Sequence, residues 1–311
     1  MTQVSKFLED YLSAQQNDCA EHFDFYPERG EWGVSYNRTT RYKSSLPPIG
    51  KLTLIHPFYN NEQDSEKKRF ELQLETWLGW SEEVRNNIKI IVVDDGSPNP
   101  IHKLLGKKQK LHLPLNLCIA RIAKNLKWNT PGALNLGIFL ADTEWALIMD
   151  SDCMFKNGMI EQVLAIKPHE EETLYKFDRH RIYKDKEEMK RYLSCTMLAK
   201  KDTFLKVGMF DENLSGEHSN GYGFFDNDFD FRQGVLKIKF IVFKKIIATE
   251  YMPDLVGRVE RNHDADHRVN KHAWYEKKGK NIVGPTPGIR FPIDIMYWKY
   301  KGNIYANRED T

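Results

Sequence analysis

Four short apolar runs, LTLIHPF from Leu52, IKIIVVDD from Ile88, LNLCIARI from Leu115 and WALIMDSD from Trp145, each stop at polar residues and are separated by segments of helical character. Runs of this length suit strands covered on both faces, and the helices between them serve as crossovers, so the pattern predicts an α/β core built on a mixed, mostly parallel sheet flanked by helices. The expected helices pass through Phe70, Leu74 and Leu78, from Ile101 to Leu105, and from Ala133 to Leu140 with Pro131 in the first turn. Beyond Phe155 a helix over Gly158 to Ile166, strands over Leu174 to Tyr183 and Tyr192 to Leu198, a β-rich run LKIKFIVFKKII and a helix over Ala265 to Lys278 are expected. Residues 1–50 read as an N-terminal extension with a helix near Ser5 to Gln15, closed by SSLPPIG. Residues 51–281 form the main domain, divided into 51–155 and 156–281, and residues 282–311, rich in Pro, Tyr and Trp, are expected to wrap it as irregular structure.

Charge narrows the function classes. Lys plus Arg number 46 against 44 Asp plus Glu, so no global positive field points to nucleic acid. The run Lys107, Lys108 and Lys110 reads as a solvated loop. Four cysteines, Cys19, Cys118, Cys153 and Cys195, lack C-x-x-C spacing, which fits a reducing compartment better than a zinc site or a disulfide framework. The N-terminus is charged, and no run approaches the ~20 apolar residues of a membrane span. These features point to the cytoplasm, and peripheral attachment to a membrane stays compatible with them.

In open α/β sheets, ligands gather beyond the carboxyl ends of the strands, which directs attention to four polar clusters. The first is Asp94, Asp95, Gly96 and Ser97, where carboxylates can accept from a base or ribose, although D-G and G-S are also ordinary turn pairs. In the second, Asp150 and Asp152 lie two apart and would project to one side on extended backbone. Paired acids are tolerated when a hard divalent ion shares them with a diphosphate, and a lone D-x-D otherwise reads as solvated capping acids. The third cluster, GYGFFDNDFDFR from Gly221, sets glycines and aromatics before Asp226, Asp228 and Asp230, which suits a sugar face and a base but equally a helix N-terminus. The fourth, RNHDADHRVNKH, places His263 and His267 one helical turn apart, as metal or phosphate ligands or as a solvated polar helix.

Taken in order, HPFYNN, IIVVDDGS, IMDSD and the glycine-aromatic-D-x-D-F-x-R segment resemble family 2-like glycosyltransferases of the GT-A fold, over roughly Lys51 to Asn281. The last of these segments is similar to a galactosyltransferase-like acceptor-site motif. The resemblance implies that Pro57, Tyr59, Asp94 and Asp95 frame the nucleoside of a nucleotide-sugar donor, with UDP favoured. Arg121, Asn125 and Asn135 match the family's polar residues ahead of the D-x-D, in a segment here lengthened around Trp128. Asp150, Ser151 and Asp152 match the donor diphosphate and metal motif, for Mn2+ or Mg2+, and His263, with His267 second, matches a late metal-ligating histidine. Asp226 matches the catalytic base, and Gly223, Phe224, Phe225, Asp228 and Arg232 the acceptor side, with phenylalanine where the family commonly has glutamate before the base.

The implied activity is a metal-dependent, inverting transfer of a hexosyl group to a hydroxyl of a glycan or other acceptor, a step of glycan biosynthesis. A nucleotidyltransferase making nucleotide sugars would use metal acids on a similar sheet, yet HPFYNNEQD is not the glycine-rich basic loop such enzymes carry after the first strand. A non-catalytic carbohydrate-binding module would use the aromatics from Tyr222 to Phe225 and Trp274 without needing metal acids and a base.

Overall fold

The structure, a computed structural model, describes residues 20–26, 31–36, 46–60, 64–104, 113–126, 128–169, 172–192, 196–215, 221–252, 267–279, 293–300 and 303–306. The expected helix at Ser5 to Gln15 lies outside them. The strands are β1 (Ala20–Tyr26), β2 (Glu31–Tyr36), β3 (Leu52–Phe58), β4 (Ile88–Asp94), β5 (Asn116–Ile122), β6 (Trp145–Ile148), β7 (Cys153–Met154), β8 (Leu174–Ile182), β9 (Glu187–Lys190), β10 (Met197–Lys200), β11 (Phe240–Tyr251), β12 (Ile293–Tyr300) and β13 (Asn303–Ala306). The helices are α1 (Asp64–Gly79), α2 (Glu82–Asn87), α3 (Ile101–Leu104), α4 (Thr130–Leu140), α5 (Met159–Leu164), α6 (Lys201–Val207), α7 (Phe225–Val235) and α8 (His267–Gly279), with a 3-10 turn at Glu212–Leu214.

All these strands join one sheet in the order β13-β12-β5-β4-β3-β6-β10-β8-β11-β1-β2, with β7 on β11 and β9 on β8. Its centre, β5-β4-β3-β6, is parallel, as is the β8/β11 pair, and antiparallel strands extend the sheet on both sides. The mixed α/β architecture is therefore the expected one. The chain runs β3, β4, β5 in one direction and then returns to place β6 on the other side of β3, so the strand order reverses at β3. At such a switch point the loops leaving neighbouring strands diverge and open a crevice at their carboxyl ends.

Period-two alternation assigns each central strand to two cores. Leu52, Leu54 and Phe58 of β3, Ile88, Ile90 and Val92 of β4, and Trp145 and Leu147 of β6 pack with Phe70, Trp77, Val84, Ile160 and Val163 from α1, α2 and α5. The alternate residues Ile55, Ala146 and Ile148 face Leu134, Phe204 and Phe229 from α4, α6 and α7, while Ile91 and Val93 face Ala133 and Leu136 of α4. α4 runs so close to β3 that a Cβ on Gly137 would collide with the Ile55 side chain. Ser81 caps α2, its hydroxyl accepting from the Val84 N–H at 3.2 Å with Glu82 and Glu83 in the first turn.

The two ends of the chain contribute more regular structure than their composition suggests. Within residues 1–50, β1 pairs with β11 and β2 with β1. Within residues 282–311, where irregular structure is expected from the prolines, β12 instead pairs antiparallel with β5, from Ile293 opposite Ile122 to Trp298 opposite Cys118, and β13 continues the edge. The prolines precede the strand, and IDIMYWKY carries none of them.

His56 sits on β3 against Trp77, ring centroids 5.4 Å apart and nearly perpendicular, and burial lowers its pKa to about 3. A lowered histidine pKa means that the unfolded chain takes up a proton the folded chain refuses, so stability is full above the ordinary value near 6.5 and is lost as pH falls from there towards 3. Denaturant unfolding across this range should show His56 contributing about 1.4 kcal/mol per pH unit, a slope His56→Phe removes. Equal slopes in the two proteins would contradict it.

Candidate active site

The carboxyl ends of β3, β4 and β6 meet at the switch point, where open α/β sheets bind their ligands, and two loops follow them there. Asp95 N–H donates to the Phe58 carbonyl at 2.8 Å, continuing the β3/β4 ladder. Both Asp94 oxygens are then used inside the protein, accepting from Ser97 N–H at 2.8 Å and Ile101 N–H at 2.9 Å, while burial raises its pKa. Asp94 therefore shapes the loop and starts α3. Asp95 is also buried and accepts from the Asn129 amide at 3.1 Å. Gly96 has φ +67°, and a Cβ there would run into the Lys124 carbonyl, so the DDGS turn presses directly on the loop leaving β5.

Around this turn lie the other donor-side candidates. Arg121 donates to the Ser97 carbonyl at 2.9 Å, and Tyr59 donates its hydroxyl to Asn125 at 3.2 Å. Pro57 is buried within β3 opposite Val93. Asn135 is placed differently. It is fully buried on α4, donates to the Phe210 carbonyl and Glu212 carboxylate at 2.8 Å each, and accepts from Phe210 N–H, which locks the loop before α7 onto α4.

The second cluster is a tight turn rather than the extended segment expected. Met149 N–H still bonds the Ile55 carbonyl at 3.1 Å, but Cys153 N–H then donates back to the Asp150 carbonyl at 3.0 Å and reverses the chain into β7. The turn is held from two sides. The Gln73 amide of α1 donates to the Ser151 and Cys153 carbonyls at 3.3 and 2.5 Å, and Tyr251 N–H of β11 donates to the Asp152 carbonyl at 3.0 Å. Fixed in this way, ligand atoms of Asp150, Asp152 and Cys153 all lie within 4.8 Å of one another.

Charge behind the turn comes from residues that no motif singles out. Arg179 and Arg181 of β8 share the buried Glu250 of β11, at 2.5 and 2.8 Å. Burial raises Asp150 well above the usual carboxylate range, the charges of Asp152, Asp226 and Glu250 add to the rise, and Arg179 opposes it. Asp226, in the first turn of α7, thus belongs to the same electrostatic patch as the D-x-D turn. Its own pKa is raised by burial and by Asp230, with Lys176 pulling the other way. Lys176 is fully buried and gripped by both oxygens of Asp230 at 2.7 and 2.8 Å, with the Phe240 ring 4.4 Å away.

The entry to α7 is strained. Phe224 has φ +59°, a left-handed conformation that a bulky side chain rarely takes and that costs on the order of 1–3 kcal/mol. Asn270 of α8 anchors it by donating to the Leu214 and Gly223 carbonyls at 2.7 and 3.0 Å. The Phe224 ring stacks on His267 at 6.4 Å and lies 5.8 Å from Trp274, with Tyr222 edge-on to His267 at 6.0 Å. Phe225 turns inward onto Trp128 and Phe210.

Asp228 and Arg232 are both fully buried one helical turn apart, paired at 2.8 Å. The Arg232 guanidinium also donates to the Val207 and Met209 carbonyls, and Lys277 of α8 reaches Asp228 at 2.6 Å and Asp211 at 2.8 Å. This network ties α6, α7 and α8 together. His263 lies outside the described residues, and His267 stands in the aromatic group, apart from the one candidate metal cluster found among the described residues. Gln73, Cys153, Arg179, Arg181 and Glu250 carry no spacing signal in the sequence, apart from the adjacency of Cys153 to the D-x-D.

Comparison with known proteins then supplies the context. The model of glycosyl transferase family 2 matches residues 54–230. No curated protein matches the chain significantly. Among solved structures, residues 1–349 of S. aureus TarS in complex with UDP-GlcNAc align with TM-score 0.56 at 14% identity, covering 77% of this chain and 68% of that one. GalNAc-T7 with UDP, GalNAc and Mn2+ aligns with TM-score 0.52 at 12% identity, covering 89% and 58%. A longer S. aureus TarS structure aligns with TM-score 0.50 at 16% identity, and this chain spans 37% of its length. At these identities the likeness is one of fold, the GT-A fold.

Removing one partner of a buried ion pair strands the other, at a cost of about 3–5 kcal/mol. Arg232→Met should lower unfolding stability by about that amount in chemical denaturation. A loss below about 1 kcal/mol would show that Lys277 alone satisfies Asp228.

Proposed function

Because the chain belongs to glycosyl transferase family 2, we propose that it transfers a sugar from a nucleotide diphosphate, with UDP as the nucleotide, to an acceptor hydroxyl with inversion at the anomeric carbon. The reading is carried by the influence of Asp226 on Asp150: the Asp226 charge adds to that of Asp152 in raising the Asp150 carboxyl, although the acids come from a strand-end turn and a helix far apart in sequence. A nucleotide-sugar transfer needs both parts there, a place for the diphosphate and a base for the acceptor.

The donor atoms at the turn suit a hard divalent cation. Two carboxylates with their ligand atoms within 4.8 Å of each other, where burial and then the charge of Asp152 raise the Asp150 carboxyl, are relieved by Mn2+ or Mg2+. Asp150 and Asp152 would hold the ion, which would supply positive charge against the leaving diphosphate. The chain's own part begins with the DDGS turn and Tyr59, Arg121 and Asn125, which form the nucleoside side of the crevice, with Ser151 at the diphosphate. At the acceptor, Gly223 and the Phe224 group form the wall beside Asp226. The acceptor oxygen bonds to the anomeric carbon as the carbon–oxygen bond to the diphosphate breaks, and the hydroxyl proton passes to the Asp226 carboxylate.

Burial beside Asp230 makes Asp226 a stronger base than a surface aspartate, and the same shift sets the pH dependence. The base acts ionised, so kcat/KM should fall as pH drops through its raised pKa, with an acid limb above the ordinary aspartate value of about 3.9. Asp226→Asn should lower kcat by roughly a hundred- to ten-thousandfold while donor affinity stays within a few-fold. Undiminished turnover would remove Asp226 from the mechanism. Asp152→Ala should abolish the metal dependence of UDP binding in calorimetry, and equal affinity with and without chelator in the unsubstituted protein would contradict the ion's role. The coupling constant of the product's anomeric proton decides between inversion and retention.

A further inference from the structure

The D-x-D turn contains a donor atom that this chemistry does not use. The Cys153 thiol follows Asp152 directly, is fully buried, and lies within 4.8 Å of ligand atoms of both Asp150 and Asp152. It is a free thiol with no hydrogen bond to its sulfur among the described residues. Its position is fixed independently of any ligand, since Gln73 binds its carbonyl and its backbone pairs with Glu250 of β11. Two ligands of one tetrahedral ion at metal–sulfur and metal–oxygen lengths of about 2.3 and 2.1 Å stand about 3.6 Å apart, so side-chain movement of up to about 1.2 Å closes the set.

We propose that Cys153 is a third protein ligand for thiophilic divalent ions, so that Co2+, Zn2+ and Cd2+ are held by two carboxylates and a thiolate, whereas Mn2+ and Mg2+ are held by the carboxylates alone. The basis is ligand softness. Oxygen donors suit Mg2+ and Mn2+, while a thiolate favours the softer ions and draws them towards tetrahedral coordination. On coordination the sulfur–metal bond forms as the thiol proton leaves to solvent, with no change of oxidation state. The turn is then an ion-selective site in which soft metals compete with the hard ion.

The inference rests on Asp150 and Asp152 being the ion site, and the test separates the two ideas. The metal-free full-length chain is titrated with Co2+ and Cd2+ while near-ultraviolet sulfur-to-metal charge transfer is followed. Mn2+ binding is measured in parallel from the electron paramagnetic resonance of the free ion. A charge-transfer band saturating at one ion per chain, absent in Cys153→Ser, Cys153→Ala and Asp152→Asn, supports the proposal. Cd2+ affinity should fall on the order of tenfold or more in the two Cys153 variants, while Mn2+ affinity in them changes less than about threefold and shows that they fold. If Co2+ binds in an Asp152-dependent way without the band, or if the band survives in Cys153→Ser, the thiol is not a ligand and the ion site stands. If neither Mn2+ nor Co2+ binding responds to Asp152→Asn, both ideas fall.

Discussion

Like charges brought together in a partly dry place are the constraint on which this structure turns. Asp150 feels Asp152, Asp226 and Glu250 at once, and Arg179 is the cation that opposes them. Water would screen such a group at the surface, but here burial is the largest influence on Asp150 itself. A fold keeps such an arrangement only when its backbone leaves the side chains no alternative. The Asp150–Cys153 turn is accordingly braced by the ladder to β3, by the Gln73 amide and by β11.

The bracing shows how the two halves of the sheet cooperate. β11 pairs with β1, β7 and β8, and its Glu250 stands opposite Cys153 on one neighbour and Arg181 on the other. The Asp150–Cys153 turn and the arginines behind it are therefore positioned by one continuous strand. On the opposite side, α8 acts through single polar contacts: Asn270 fixes the Gly223 carbonyl and Lys277 neutralises Asp211 and Asp228. The left-handed Phe224 is held between these contacts and the His267 and Trp274 rings.

What the sequence made legible follows from how local each signal is. The strands of the parallel centre announce themselves because burial on both faces demands unbroken Ile, Val and Leu, and the polar residues ending them mark the crevice. The match to family 2 and the GT-A likeness agree with that reading. Roles inside the motifs were less legible. Asp94, Asn135, Asp228 and Arg232 have the residue types of ligand-binding groups and also make loop and helix contacts, because a carboxylate or amide serves either purpose and residue type alone does not assign one. Gln73, Arg179 and Glu250 were invisible for the converse reason: nothing near them in sequence hints that three separate elements converge on one turn. In the tail, Pro-rich flanks obscure the regular segment at Ile293–Tyr300, because composition averages over both.

The pairing of β12 with β5 also bears on handling the protein. β5 runs NLCIARI and is buried along most of its length. Without its antiparallel neighbour, that strand would become an open hydrogen-bonding edge beside an apolar core, the kind of surface that templates pairing between chains. Shortened versions made for crystallisation should therefore retain Ile293 to Tyr300, since trimming at the end of the family-matched region would trade a closed margin for a sticky one.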